Sequence, residues 1–264
     1  MSAATHLDVD GASLRYVCAG EGSRTLSFAH GWCSRLEHWD AQAAHFERSH
    51  RVLRWDRRGM GASPAAPAGS AARHGADLAA LLDACGVERT VVVGHAGGGP
   101  SALAFAANHA ARTEALILVD TAVNQPSDPR SQRFSDAVAV TVERLQAADA
   151  MTYFGELYRS YFGPRADPAV VAAAVAGAQA VPIEVTVSEL LHMRQDTAAV
   201  AAEVTCPVLW VSAIAADTKM VRAAFPAAPL MIGHVVGSGH FVQLEVPEQL
   251  NAMIDAFIDT LPSP

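Results

Sequence analysis

Unbroken apolar runs, helix-period stripes and glycine or proline breaks alternate along the chain in a strand–helix rhythm. Val91-Val92-Val93 is an apolar β-branched run of the kind that forms a strand buried on both faces. It ends at Gly94-His95-Ala96-Gly97-Gly98, and a small-residue helix is predicted from about Gly99, with Pro100 tolerated in its first turn. Upstream, strands are predicted at residues 7–10, 13–19 and 25–29, split by Asp10-Gly11 and Gly20-Glu21-Gly22 turns. Residues 39–48 have helical character, 51–56 read as a strand and 65–70 as a loop. Leu78, Leu81, Leu82 and Cys85 then form one stripe of a helix that Gly86 ends. Downstream, strands are predicted at 114–120, 208–212 and 226–235, followed by a tight loop at 237–240. A final helix carries Leu250, Met253, Ile254, Phe257 and Ile258 on one stripe, and residues 213–225 are short for a loop plus a helix.

Residues 121–207 are far longer than a connection between neighbouring elements needs. Their helical pattern, punctuated by Pro126, Pro129, Pro164, Pro168 and Pro182, predicts a helical cap at 122–205 over a core made of 1–121 and 206–264. Tyr153, Phe154, Tyr158, Tyr161, Phe162 and Met193 are its expected underside, most of them as cap core.

Composition narrows the function classes. The chain of 264 residues is long enough for one α/β domain with an insertion, and half of it is apolar, as a large core requires. A net charge of −8 argues against nucleic-acid or anionic-membrane binding, which need a basic face. Cys18, Cys33, Cys85 and Cys206 form no C-x-x-C pair, so neither a disulfide scaffold nor a structural metal is expected. With no basic leader and no apolar run of about 18 residues, a cytoplasmic protein with free thiols is expected. The glycine-rich run lacks a following Gly-Lys-Ser/Thr, which rejects nucleotide binding, and Asp8-Val9-Asp10-Gly11 lacks the closing glutamate of a calcium loop. No cofactor or metal is implied; the expected partner is a small-molecule substrate, with a homodimer left open.

The turn at 94–98 carries the candidate chemistry. Strand, glycine-flanked turn and helix make a nucleophile elbow, which holds its central residue in strained geometry with the side chain above the sheet. Here that residue is Ala96, so the pattern G-x-S-x-G is complete except for its serine. His240 fits a general base by position, in a glycine-flanked loop after the last strand, with His95 and His234 as weaker candidates. Ser101, one turn into the helix, does not replace the missing hydroxyl, and Cys33 reads as a small buried hydrophobe.

Four segments in chain order, His30-Gly31-Trp32, residues 56–63 (Asp-Arg-Arg-Gly-Met-Gly-Ala-Ser), the elbow and Gly237-Ser238-Gly239-His240-Phe241, resemble the α/β-hydrolase superfamily of serine-hydrolase type. The resemblance implies a mostly parallel eight-stranded sheet with helices on both faces. It implies an oxyanion hole from the amides of Trp32 and Gly97, and an acid at Asp120 or, after the following strand, at Asp217, with Asp120 favoured. Asp56 becomes a turn anchor, and His30, Trp32, His95, Tyr153, Tyr158 and Phe241 become candidate substrate contacts. The activity so implied is hydrolysis of a carboxylic ester or lactone, in a form that Ala96 leaves inactive or strongly impaired. Two other readings stay open: a cofactor-independent dioxygenase of N-heteroaromatic rings using a His/Asp pair, and a non-catalytic small-ligand receptor.

Overall fold

The computed structural model describes residues 3–64, 69–213 and 218–263. Eight strands form one sheet in the order β1-β2-β4-β3-β5-β6-β7-β8. They are β1 (Thr5–Val9), β2 (Ala12–Ala19), β3 (Thr25–Ala29), β4 (Arg51–Trp55), β5 (Thr90–His95), β6 (Thr113–Val119), β7 (Val208–Ser212) and β8 (Leu230–His234). β2 runs antiparallel to β1 and β4; every other pairing is parallel. Every residue of β3, β5 and β7 is buried, the reason these central strands read as continuous apolar runs. Glu114 in β6 is the polar interruption, and it is paired with Arg24 at 2.9 Å.

The helices are α1 (Asp40–Phe46), α2 (Ala71–Ala84), α3 (Gly99–Asn108), α4 (Pro129–Arg144), α5 (Ala150–Ser160), α6 (Pro168–Gln179), α7 (Ile183–His192), α8 (Thr197–Ala201), α9 (Thr218–Ala224), α10 (Val242–Glu245) and α11 (Pro247–Ile258). Two apolar clusters cover the sheet's faces, one joining it to α2 and α3, the other to α1 and α11. A third, around Trp32, Phe154, Tyr158 and Val175, binds α4 to α7 to the loop after β3. Among the described residues no single helix is long and apolar enough to cross a membrane.

Two local expectations change. The strand expected at 226–235 is confined to Leu230–His234, because Pro226 and Pro229 have no N–H for the ladder and residues 226–228 bend instead. The segment judged short for a helix holds α9, whose two turns bury Val221 and Ala224 against the core.

The turn after β4 is held by buried charge. Asp56 accepts hydrogen bonds from the Leu36 and Ala62 amides at 2.7 and 2.8 Å, and Arg58 meets Asp77 through two short bonds, 2.6 and 2.7 Å. Arg57 points the other way. Its guanidinium donates to the carbonyls of His30 and Gly31, both at 3.0 Å, and to Glu189 of α7 at 2.7 Å; Glu189 also meets His74 Nε2 at 2.7 Å. Burial alone pushes the Glu189 carboxyl up, but Arg57 and His74 outweigh it and hold it at about 2, below its ordinary 4.5. A depressed carboxylate stabilises the fold fully above pH 4.5 and loses that contribution as pH falls toward 2. Glu189→Gln is therefore expected to cost about 2–4 kcal/mol in urea unfolding at pH 7 and much less at pH 2.5, if the variant is compared with the unaltered chain at each pH. An equal cost at both pH values contradicts the linkage.

Candidate active site

Ala96 sits at the turn between β5 and α3 with φ 47°, in the left-handed region that side chains other than glycine rarely adopt. The neighbours allow this only by being glycines. A Cβ on Gly94 would lie 2.7 Å from the Gly98 carbonyl oxygen, and one on Gly98 would lie 2.5 Å from the carbonyl oxygens of Ala29 and His30. The backbone thus drives α3 against β3 and β5 and turns the Ala96 methyl into a cavity.

Asp120, the residue after β6, also has positive φ, at 44°. Its Oδ2 lies 2.6 Å from His240 Nδ1, while Oδ1 accepts from the Ala213 amide at 3.0 Å and the Ser212 hydroxyl at 3.2 Å. A carboxylate with those donors accepts from the ring, so Nδ1 carries the proton and Nε2 is left as an acceptor. Burial raises the Asp120 carboxyl, but the bond and charge of His240 and the Ala213 amide bring it below its usual range. His240 and Ala96 line the same cavity, and the His240 side chain is 30 % exposed.

His95, just before the turn, holds the His240 loop from beneath. Its Nε2–H donates to the His240 carbonyl at 2.9 Å, so Nδ1 is unprotonated and without a partner. Burial and the nearby His240 push its pKa down to about 3.

Trp32 and Gly97, whose amides are expected to form an oxyanion hole, line the same cavity as Ala96. A Cβ on Gly97 would stand 3.1 Å from the Trp32 nitrogen, so glycine at 97 lets the elbow and the loop after β3 approach closely. Trp32 is fixed by its indole N–H, which donates to the Thr186 carbonyl of α7 at 2.9 Å, and by Phe154 at 5.2 Å between ring centres. Cys33 is buried, with its thiol pushed up to about 12 by burial, which leaves no thiolate to act as a nucleophile.

The cavity over Ala96 has a volume of about 640 Å³, and Trp32, His95, Tyr158 and Phe241 line it. Tyr158 donates to the Trp32 carbonyl at 3.1 Å and lies 2.9 Å from the Ser34 hydroxyl, while Phe241 stacks on Phe162 at 4.4 Å. Two expected substrate contacts lie elsewhere. His30 is fully buried beneath the loop, its Nε2 accepting from the Arg57 amide and its Nδ1–H donating to the Gly31 carbonyl, both at 2.9 Å. Tyr153 lies one position off the inward stripe Phe154, Leu157, Tyr158 and Tyr161, and turns toward α4, with its hydroxyl 3.3 Å from Thr141 and Arg144 above its ring. His234 is exposed on β8, away from the cavity, and Asp217 lies outside the described residues.

Glu245 was not anticipated from the sequence. Its carboxylate accepts the amides of Gly163 at 2.8 Å, Gly239 at 3.0 Å and Phe241 at 3.2 Å, and so ties the His240 loop to the end of α5. The His240 amide adds a bond to the Tyr161 carbonyl at 2.7 Å. Glu245→Ala is expected to lower stability by about 1–2 kcal/mol in urea unfolding, since three partly buried amides lose a charged acceptor. A loss under about 0.5 kcal/mol contradicts that clamp. Among the described residues, no three His, Cys, Asp or Glu side chains are grouped to hold a metal ion.

Residues 25–247 match the family model described as alpha/beta hydrolase fold. A non-heme haloperoxidase of Rhodococcus erythropolis is 35% identical over 113 residues, which cover 42% of this chain and 41% of the relative. The chain thus aligns with less than half the length of that curated relative. An enol-lactonase structure from Burkholderia xenovorans LB400 superposes with a TM-score of 0.84 at 22% identity, covering 97% of this chain and 100% of the other. A thermophilic esterase from Thermogutta terrifontis gives 0.83 at 22% identity, with 98% of each chain covered.

Proposed function

Because the chain belongs to the α/β-hydrolase fold family, we propose that its cavity receives a carboxylic ester or lactone at a serine-hydrolase-type site whose nucleophile position is filled by alanine. The observation that carries this reading is that His240, paired through Nδ1 with Asp120, lines one cavity with Ala96, Trp32 and Gly97, whose amides we take as the donors. The amides donate to a carbonyl oxygen, and they do so most strongly when it becomes an oxyanion. His240 Nε2 would take a proton from a hydroxyl at 96, but a methyl group has none to give. Ligand therefore binds without forming an acyl-enzyme, and loss of such a nucleophile costs about 10⁶ in turnover. We read residues 122–205 as the cap that encloses the ligand. The test is Ala96→Ser assayed on esters and lactones, with no gain in hydrolysis as the refuting result.

The free Nε2 of His240 favours one second reading, in which the His240–Asp120 pair deprotonates the substrate itself, as in the dioxygenase alternative. Oxygen uptake with a hydroxyquinolone by the unaltered chain supports it; none excludes it.

A further inference from the structure

The cavity's walls select among esters. In the cavity wall, α4 presents Phe134, Val138 and Thr141 on one face, α5 adds Leu157, α7 Leu190, and Met193 follows α7. Among the described residues that line the cavity, none is lysine or arginine. Asp120 is the only carboxylate there, and both its oxygens are taken by His240, Ser212 and Ala213. Of the neighbouring guanidiniums, Arg57 is committed to Glu189 and the loop carbonyls and Arg144 to Asp149 and the Tyr153 ring, while Arg194, in a recess it shares with Asn124 and Phe134, donates to the Ser135 hydroxyl at 2.6 Å. Asn124, which is uncharged, donates one side-chain N–H to the Met193 carbonyl at 2.8 Å. A charged group lying along the apolar wall, away from His240, would lose its water and find no lysine or arginine to pair with. A short acyl chain would leave most of the 640 Å³ and its apolar wall unused.

We propose that the ligand is an uncharged ester or lactone with a medium-length apolar arm, which lies along the wall formed by Val138, Leu157, Leu190 and Met193. The proposal rests on the ester reading above for the carbonyl end only; the arm's chemistry follows from the wall.

Calorimetric titration of the unaltered chain with methyl butanoate, methyl hexanoate and methyl octanoate is expected to show affinity rising about threefold to fourfold per methylene, the equivalent of about 0.8 kcal/mol. Monomethyl suberate matches methyl octanoate in length but ends in a carboxylate, and is expected to bind at least about a hundredfold more weakly at pH 7. A flat length series, or suberate binding within tenfold of octanoate, overturns the inference. Leu157→Arg supplies the missing cation, and in the folded variant monomethyl suberate binding is expected to improve at least tenfold; no improvement means the arm does not lie on this wall. Methyl octyl ether separates the two claims. Binding at least tenfold weaker than methyl octanoate supports recognition of the carbonyl, whereas equal binding removes the ester reading and leaves the length series to decide the apolar arm.

Discussion

Ala96→Ser is expected to raise kcat/KM on p-nitrophenyl esters or γ-lactones by at least about 10³-fold over the unaltered chain, with about 10⁶ as the ceiling that the chemistry of the nucleophile allows. The substitution asks nothing new of the backbone. Ala96 already holds φ 47°, so serine inherits the same strain, and the melting temperature should hardly move. Its hydroxyl would project into the cavity that His240 shares, and the Asp120 bond already leaves His240 Nε2 ready to accept the proton. In the proposed reading the Trp32 and Gly97 amides, both at the wall of this cavity, serve as the oxyanion donors. Ser101 offers no background route: it is buried on α3 beside Arg57 and His74, in a small recess behind Gly97 and Pro100, and does not line the main cavity. A gain below tenfold with the fold intact shows that the residues around Ala96 do not form the site of an acyl-transfer reaction.

What the sequence made legible is what depends on neighbours in the chain. β-branched runs announced the central strands, since burial on both faces leaves no polar alternation to obscure them, and glycines at 94, 97 and 98 marked a place where two backbones approach. The position of a histidine after the last strand was equally local. Contacts set by helix rotation and by long separations were not legible. Arg57 and Glu189 are 132 residues apart, and only the register of α7 over the β4 turn brings them together. Tyr153 and Tyr158 look alike as aromatic residues of one helix, yet a turn of the helix sends the first toward α4 and the second beneath Trp32. His30 carried a motif's signature but serves inside the loop, where its ring satisfies one amide and one carbonyl. Glu245 had a faint signal in retrospect, as a carboxylate five residues after His240 in an otherwise apolar turn.

In the Ala96→Ser background, Asp120→Asn is expected to lower kcat about 10⁴-fold while leaving KM within a few-fold. Asparagine tolerates the left-handed backbone that position 120 requires, at φ 44°, so the variant should fold. The effect comes from the direction in which its carboxamide must lie. The Ala213 amide and the Ser212 hydroxyl both donate toward Oδ1, so the carboxamide oxygen belongs on that side and the NH₂ turns to His240. An NH₂ facing Nδ1 donates to it and drives the imidazole proton onto Nε2, the nitrogen that has to accept from the serine hydroxyl. In the proposed reading the ester is held by the Trp32 and Gly97 amides and the apolar wall, which the change does not touch, hence the expected split between kcat and KM. A fall of less than tenfold in kcat means that the carboxylate 2.6 Å from Nδ1 does not set the tautomer, and the base assignment to His240 fails with it.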